Sequence, residues 1–348
     1  MGALRDGPGH ATAVETHAVP PEFVEALREL GLVGTEQVTG MPLTGGVSSD
    51  LWRIDTARGP LCVKRALAKL RVVADWQAPI VRNVYESRWL QIAGDASPGA
   101  APRLLGQHER LGVVAMEYLA PGEHRLWKEE LRRGHADVAT ARDVGATLVR
   151  IHAFTAARRD LAARFDSDAI FFAIRLEPYL LATAERHPDL AGVLEALVER
   201  TRTHRVAVVH GDVSPKNILV GKHGPVFVDA ECAWWGDPAF DLAFCLNHLL
   251  LKCLWTPAGR AGFLACFDAL AAAHFGGVDW EPRDVFERRA ATLLPALLLA
   301  RVDGKSPVEY LSDERERETV RRVARHFLRA PVDRVAAVAA GWREELAR

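Results

Sequence analysis

The stretch Val206-Ala207-Val208-Val209-His210-Gly211-Asp212-Val213-Ser214-Pro215-Lys216-Asn217, with Asp229 twelve residues further on, decides how this chain is read. An apolar run leads into a polar loop, and two short apolar segments, Ile218-Leu219-Val220 and Val226-Phe227-Val228, flank a turn from Gly221 to Pro225. The pattern is strand, loop, hairpin, carboxylate. Phosphoryl transfer needs a base near the attacking hydroxyl and oxygen ligands for the metal ions that bridge the nucleotide phosphates. Asp212 suits the first role, and Asn217 with Asp229 the second.

With His-Gly-Asp, an Asn five residues after the Asp, and a second Asp ending a hydrophobic strand, the segment from Val208 to Ala243 resembles the aminoglycoside phosphotransferase and choline kinase group. These are small-molecule relatives of protein kinases. The resemblance implies an α+β, bilobal, protein-kinase-like fold, with a small N-terminal antiparallel-sheet lobe and a larger, mainly helical C-terminal lobe. It also implies ATP as phosphoryl donor, GTP not being excluded, and Mg2+ as cofactor. We expect a flexible tail over residues 1–19, a nucleotide-binding lobe over 20–117, and a catalytic and substrate-binding lobe over 118–348.

A centre of this kind needs a lysine on an N-terminal strand to grip the phosphates and a glutamate on the next helix to orient it. Leu61-Cys62-Val63-Lys64 supplies the lysine, and Glu86 is the only glutamate between it and Glu109. Pro79 suits a helix start, with Val81, Tyr85 and Trp89 on one face. Upstream, Gly45 and Gly46 let backbone amides approach phosphate oxygens, and Ser48 and Ser49 add donors. By resemblance, Glu117, Tyr118 and Leu119 form the hinge that holds the purine, with Met116 behind it.

Only a dozen residues separate Asp229 from Asp241, too few for the peptide-docking segment of a protein kinase, so the acceptor is expected to be a small molecule bearing a hydroxyl. Asp237 and Asp241 are read as structural, Asp241 bracing the catalytic loop by resemblance. Substrate contacts are sought in Asp168 to Glu199, which contains Arg175, and in the helical region after Phe240. There His248 and Lys252 share a face at i,i+4, as ligand contacts or as a surface-seeking lysine and its neighbour. Arg301 follows an apolar helix from Val285 and suits the helix dipole or, with Lys305, a substrate carboxylate or another polar acceptor. Trp234 and Trp235 would stack on a sugar or base ring, or pack the lobe. Glu231 stands near the metal Asp as a second acid or a substrate contact.

Composition narrows the rest. The chain has 348 residues and a net charge of −1, which points to neither nucleic acid nor an anionic membrane as partner and offers no acidic block for a polycation. Five cysteines without metal-binding spacing read as reduced core residues of a cytoplasmic protein. Met1 to Val19 lacks the pattern of a secretion signal, and the apolar stretch Ala290 to Ala300 contains Pro295 and is too short to span a bilayer. Gly304-Lys305-Ser306 mimics the end of a phosphate loop but lacks its first glycine, and His152 reads as a hydrogen-bonded core residue. Three readings follow: a phosphotransferase acting on an antibiotic of nucleoside, sugar or aminoglycoside type, preferred here; a metabolic kinase for choline, homoserine or a thiosugar; or a nucleotide-binding pseudokinase.

Overall fold

The computed structural model describes residues 17–43, 49–67 and 80–348. Six antiparallel strands form the first sheet, in the order β1-β2-β3-β4-β6-β5. They are β1 (His17–Ala18), β2 (Thr39–Pro42), β3 (Ser49–Thr56), β4 (Gly59–Ala66), β5 (Leu104–His108) and β6 (Val113–Glu117). Strands β3 and β4 join through a two-residue turn closed by Thr56 opposite Gly59, which takes φ 103°.

Side-chain alternation gives this sheet two buried faces. Ile54, Leu61, Val63, Val113 and Ala115 pack on Phe23, Ala26 and Leu27 of helix α1 (Pro21–Glu29). Cys62, Val114 and Met116 point the other way, into the core that holds Trp89 and Leu90 of helix α2 (Arg82–Ala96). Lys64, two residues after Cys62, therefore emerges on the α2 side. Two points differ from expectation. His17 and Ala18, assigned to the tail, take the edge of the sheet opposite Gly40 and Thr39. Helix α1 is an addition, written in the sequence as proline at the first turn followed by Phe23, Ala26 and Leu27 at helical spacing. Helix α2 starts at Arg82, and Pro79 lies outside the described residues.

The remainder is mainly helical. Its long helices include α3 (Val138–Ala156), α4 (Ala239–Trp255), α5 (Arg260–Gly276), α6 (Arg283–Asp303), α7 (Glu314–Arg329) and α8 (Val335–Leu346). Helix α4 is buried from Ala239 to Leu254, so it forms the axis of the core, and its apolar run needs no amphipathic pattern. Residues Phe172–Leu181 wind as a π-helix containing Pro178, whose missing N–H and ring are accommodated by the wider turn. Five short strands support the loops: β7 (His124–Leu126), β8 (Ala207–Val209), β9 (Ile218–Gly221), β10 (Gly224–Phe227) and β11 (Trp234–Gly236). Strands β9 and β10 form the expected hairpin, with β7 along its other edge, and β11 pairs with β8. Among the described residues no helix is long and apolar enough to cross a membrane.

Candidate active site

Strand β8 delivers the chain to His210, and the loop that follows is held from below by one carboxylate. Asp241, in the first turn of α4 and fully buried, accepts hydrogen bonds from the backbone N–H of His210 and of Gly211, each at 2.8 Å. His152 stands 3.1 Å from the same carboxylate and 3.2 Å from His274, a buried chain running into the core. Gly211 adopts φ 77°, and a Cβ there would lie 2.7 Å from the carbonyl oxygen of Cys232, so both the conformation and the space call for glycine. The ring of His210 packs on Trp89 with centroids 4.7 Å apart, and its Nδ1 accepts from the N–H of Asp212. With Nδ1 an acceptor, Nε2 donates to the carbonyl of Val228, and burial holds the ring neutral by lowering its pKa.

Asp212 is thereby fixed in a cage of donors. Its carboxylate lies 2.9 Å from Arg175 Nη2, 3.0 Å from Lys216 Nζ and 2.8 Å from Asn217 Nδ2. Burial disfavours its charge, but Arg175 and Lys216 outweigh that penalty and hold the carboxyl below the usual carboxylate range. The group stands ionised, as a proton acceptor must. Arg175 reaches it from the π-helix and also donates to the carbonyl of Gly211 at 2.6 Å. The sequence placed Arg175 among substrate contacts; the structure places it against Asp212.

Across the cleft, Lys64 Nζ lies 2.8 Å from Glu86 and also contacts Asp229. Burial works against the ammonium, and the charges of Asp229 and Glu86 more than restore it. Asp229 takes φ 66°, the left-handed region that non-glycine residues rarely adopt, which turns its side chain back toward Lys64 after β10. Asn217 spends its amide nitrogen on Asp212, leaving its carbonyl oxygen for another partner. One amide oxygen and one carboxylate are the hard donors that suit Mg2+, which keeps waters and takes its other ligands from phosphates. The donor set fits. Among the described residues no cluster of three or more His, Cys, Asp or Glu side chains offers a separate metal site.

Other expected positions fall as follows. Gly45, Gly46 and Ser48 lie outside the described residues; Ser49 opens β3 and is buried. Met116 is buried at the end of β6, Glu117 closes that strand with its N–H on the carbonyl of Arg103, and Tyr118 lies under the guanidinium of Arg53 at 5.2 Å. Leu119 follows in irregular chain. Glu231 pairs with Arg82 of α2 at 2.9 Å, tying the sheet side to the helical side. Trp234 is a correction to the substrate reading: it is fully buried and stacked on Phe171, with centroids 4.2 Å apart, because β11 pairs with β8 and draws it into the core. Trp235 is buried beside it in β11. Asp237 holds Arg289 at 2.9 Å.

His248, Lys252 and Arg301 meet in one cavity beside the catalytic loop, together with Ser214, Lys216, Lys128, Glu309 and Tyr310. Lys128, Ser214, Lys216 and Tyr310 were not singled out from the sequence. Lys216 carries a signal in hindsight, standing four residues after Asp212 inside the motif; Lys128 and Tyr310 carry none, being brought in only by the packing of distant segments. Lys305 pairs with Glu177, so the mimic of a phosphate loop is an ordinary surface contact.

The cleft thus brings together a buried lysine paired with a glutamate, two metal-suited oxygens and a caged, ionised aspartate, the arrangement of a kinase-like fold. The chain belongs to the phosphotransferase enzyme family, whose model matches residues 39–252. It is similar to a methylthioribose kinase of Cronobacter sakazakii, 26% identical over 238 residues that cover 60% of this chain and 58% of that protein. The chain thus spans less than two thirds of that relative. Among solved structures it is similar in fold to a choline/ethanolamine kinase family protein from Mesorhizobium loti, with a TM-score of 0.50, 18% identity, and coverage of 93% of this chain and 99% of the other. It is likewise similar to an ethanolamine kinase of Plasmodium vivax, with a TM-score of 0.56, 13% identity, and coverage of 89% and 90%.

Proposed function

We propose that this chain transfers the γ-phosphoryl group of ATP to a hydroxyl of a small metabolite. The observation that carries the reading is the caged, ionised carboxylate of Asp212 within one cleft with Lys64, Glu86, Asn217 and Asp229. The acceptor oxygen forms its bond to the γ-phosphorus as the bond from that phosphorus to the bridging oxygen of ADP breaks, and the hydroxyl proton passes to Asp212 and on to solvent. Lys64, oriented by Glu86, grips the phosphates. Asn217 and Asp229 would hold Mg2+, which supplies neutralisation of the phosphate charge. Arg175 and Lys216 position the base and keep it ionised.

The similarity to methylthioribose kinases supports a metabolic acceptor over an antibiotic. The complete residue set argues against a pseudokinase. The test is ATP consumption by the purified chain across hydroxylated metabolites and antibiotics, with Asp212→Asn as control. We expect turnover to fall about 10²- to 10⁴-fold in the variant, the usual range for loss of a general base. Retained turnover would overturn the assignment.

A further inference from the structure

The cavity beside the catalytic loop is unusually cationic for its acid content. Of the four basic side chains that line it, Lys128 pairs with Glu309 and Lys216 with Asp212. The other two have no carboxylate partner among the described residues. Arg301, 7% exposed, donates only to neutral oxygens, those of Tyr179 at 3.0 Å and of Ser306. Lys252, 1% exposed, has its Nζ 3.8 Å from the ring centroids of both Trp255 and Tyr310, and among the described residues no hydrogen-bonding oxygen. Among the described residues, Arg301 Nε and two further polar atoms of the same wall, His248 Nε2 and Ser214 Oγ, are buried without a partner. Buried donors are ordinarily satisfied, and unpaired buried charges carry a large penalty. Two basic side chains without a carboxylate, Arg301 and Lys252, and two further unsatisfied atoms, His248 Nε2 and Ser214 Oγ, around one cavity describe a site whose missing member is an anion.

We propose that this cavity binds a terminal oxyanionic group of the acceptor, so that the substrate is a small hydroxylated acid rather than a neutral sugar or a cation. The inference rests on the phosphotransferase reading and narrows it to a substrate class. Ser214 and Lys216 belong to both the cavity wall and the loop that carries Asp212, so an acid held here by Arg301 and Lys252 presents its hydroxyl end to the base. The cavity encloses only about 20 Å³, about the space of one water, so it can take an oxygen atom of the terminal group and not a ring. It is open where the side chains of Lys216 and Glu309 are 49% and 65% exposed. The surroundings agree: burial, with Lys128 and Arg301 adding to it, pushes the Lys252 ammonium down to about 6, and burial beside Arg301 and Lys252 keeps His248 neutral. A bound anion would reverse the first effect and give His248 Nε2 its partner.

The test measures binding and so is independent of turnover. The full chain with Mg-ADP is titrated calorimetrically with matched pairs: D-glycerate against glycerol, D-gluconate against D-glucitol, ribose 5-phosphate against ribose, and with choline and methylthioribose as uncharged or cationic references. We expect at least one anion to bind saturably and its neutral partner at least 10-fold more weakly. Arg301→Met and, separately, Lys252→Met should each weaken that anion at least 10-fold while leaving Mg-ADP affinity within about twofold, which also reports that each variant is folded. The carboxylate and phosphate arms decide which oxyanion is taken. Equal or tighter binding of a neutral or cationic member, binding of no anion, or an anion unaffected by both variants overturns the proposal. An anion that binds in this way yet receives no phosphoryl group overturns the phosphotransferase reading and leaves the oxyanion site standing.

Discussion

Replacing Asp241 by Asn tests whether one carboxylate really holds the catalytic loop. In the wild type it accepts two backbone N–H groups, each at 2.8 Å, with no exposure to water. An amide has a single acceptor oxygen, so one of these donors would face an NH2 group and the other would lose a charged acceptor. A hydrogen bond to a charged group contributes about 1.5–3 kcal/mol, and a buried donor left without a partner costs about 1–3 kcal/mol. One bond lost and one weakened therefore give a destabilisation of about 3–4 kcal/mol, within the range for breaking a buried charged contact. Followed by tryptophan fluorescence in urea, with a slope of about 3 kcal/mol per molar, the midpoint should fall by about 1 M. Turnover should fall about 10²-fold as well, since displacing a base by 1 Å has that effect. A midpoint lowered by less than about 0.3 M with wild-type turnover would refute the reasoning.

Two other outcomes are expected. Trp234→Phe should leave the acceptor KM within twofold while destabilising the fold, because the indole stacks on Phe171 in the core and not on a ligand; a KM raised tenfold at unchanged stability would return Trp234 to the substrate site. Burial disfavours the charge of Glu281, but His204 3.8 Å away, the hydrogen bonds from Arg289 and the Arg289 charge bring its pKa from the ordinary 4.5 to about 2. Its folded pKa being the lower one, the stabilisation is complete above pH 4.5 and lost as pH falls toward 2. Discounted for the solvent it still meets, that amounts to about 1–2 kcal/mol. Glu281→Gln should therefore be less stable at neutral pH and flatter through that acid window, as read from urea midpoints at stepped pH.

What the sequence discloses and what it conceals follow from how far each interaction reaches along the chain. Asp212, Asn217 and Asp229 sit within eighteen residues of one another in a strand, loop and hairpin whose local chemistry is nearly self-determined. Lys64 and Glu86 are readable because a strand and the helix after it deliver one residue each, and the structure brings them to 2.8 Å. Helix α1 is equally local, set by Pro21 at its start and by Phe23, Ala26 and Leu27 on one face. Trp234 shows the opposite limit. Its position just after the metal-suited Asp suggests a ligand contact, and only the pairing of Trp234 with Val209 reveals that the side chain points into the core.

The cationic cavity lies beyond any local pattern, and the reason bears on its function. His248 and Lys252 come from α4, Arg301 from the end of α6, Tyr310 from the segment after it, Lys128 from the short helix Trp127–Arg132, and Ser214 and Lys216 from the catalytic loop. Net charge gives no hint either, since −1 over 348 residues averages away a local excess of basic side chains. A core helix with no functional load would have no use for a lysine and a histidine on its buried face, where apolar side chains of similar size pack without leaving unpaired charges. Here the two are directed at the one place where α4 passes beside the loop that carries Asp212. In the same helix Asp241 anchors that loop three residues into the first turn, while His248 and Lys252 line the cavity two and three turns further along. The helix that sets the position of the base thus also sets the position of the charge that would hold the acceptor, so the distance between them is fixed by the backbone geometry of a single rigid element.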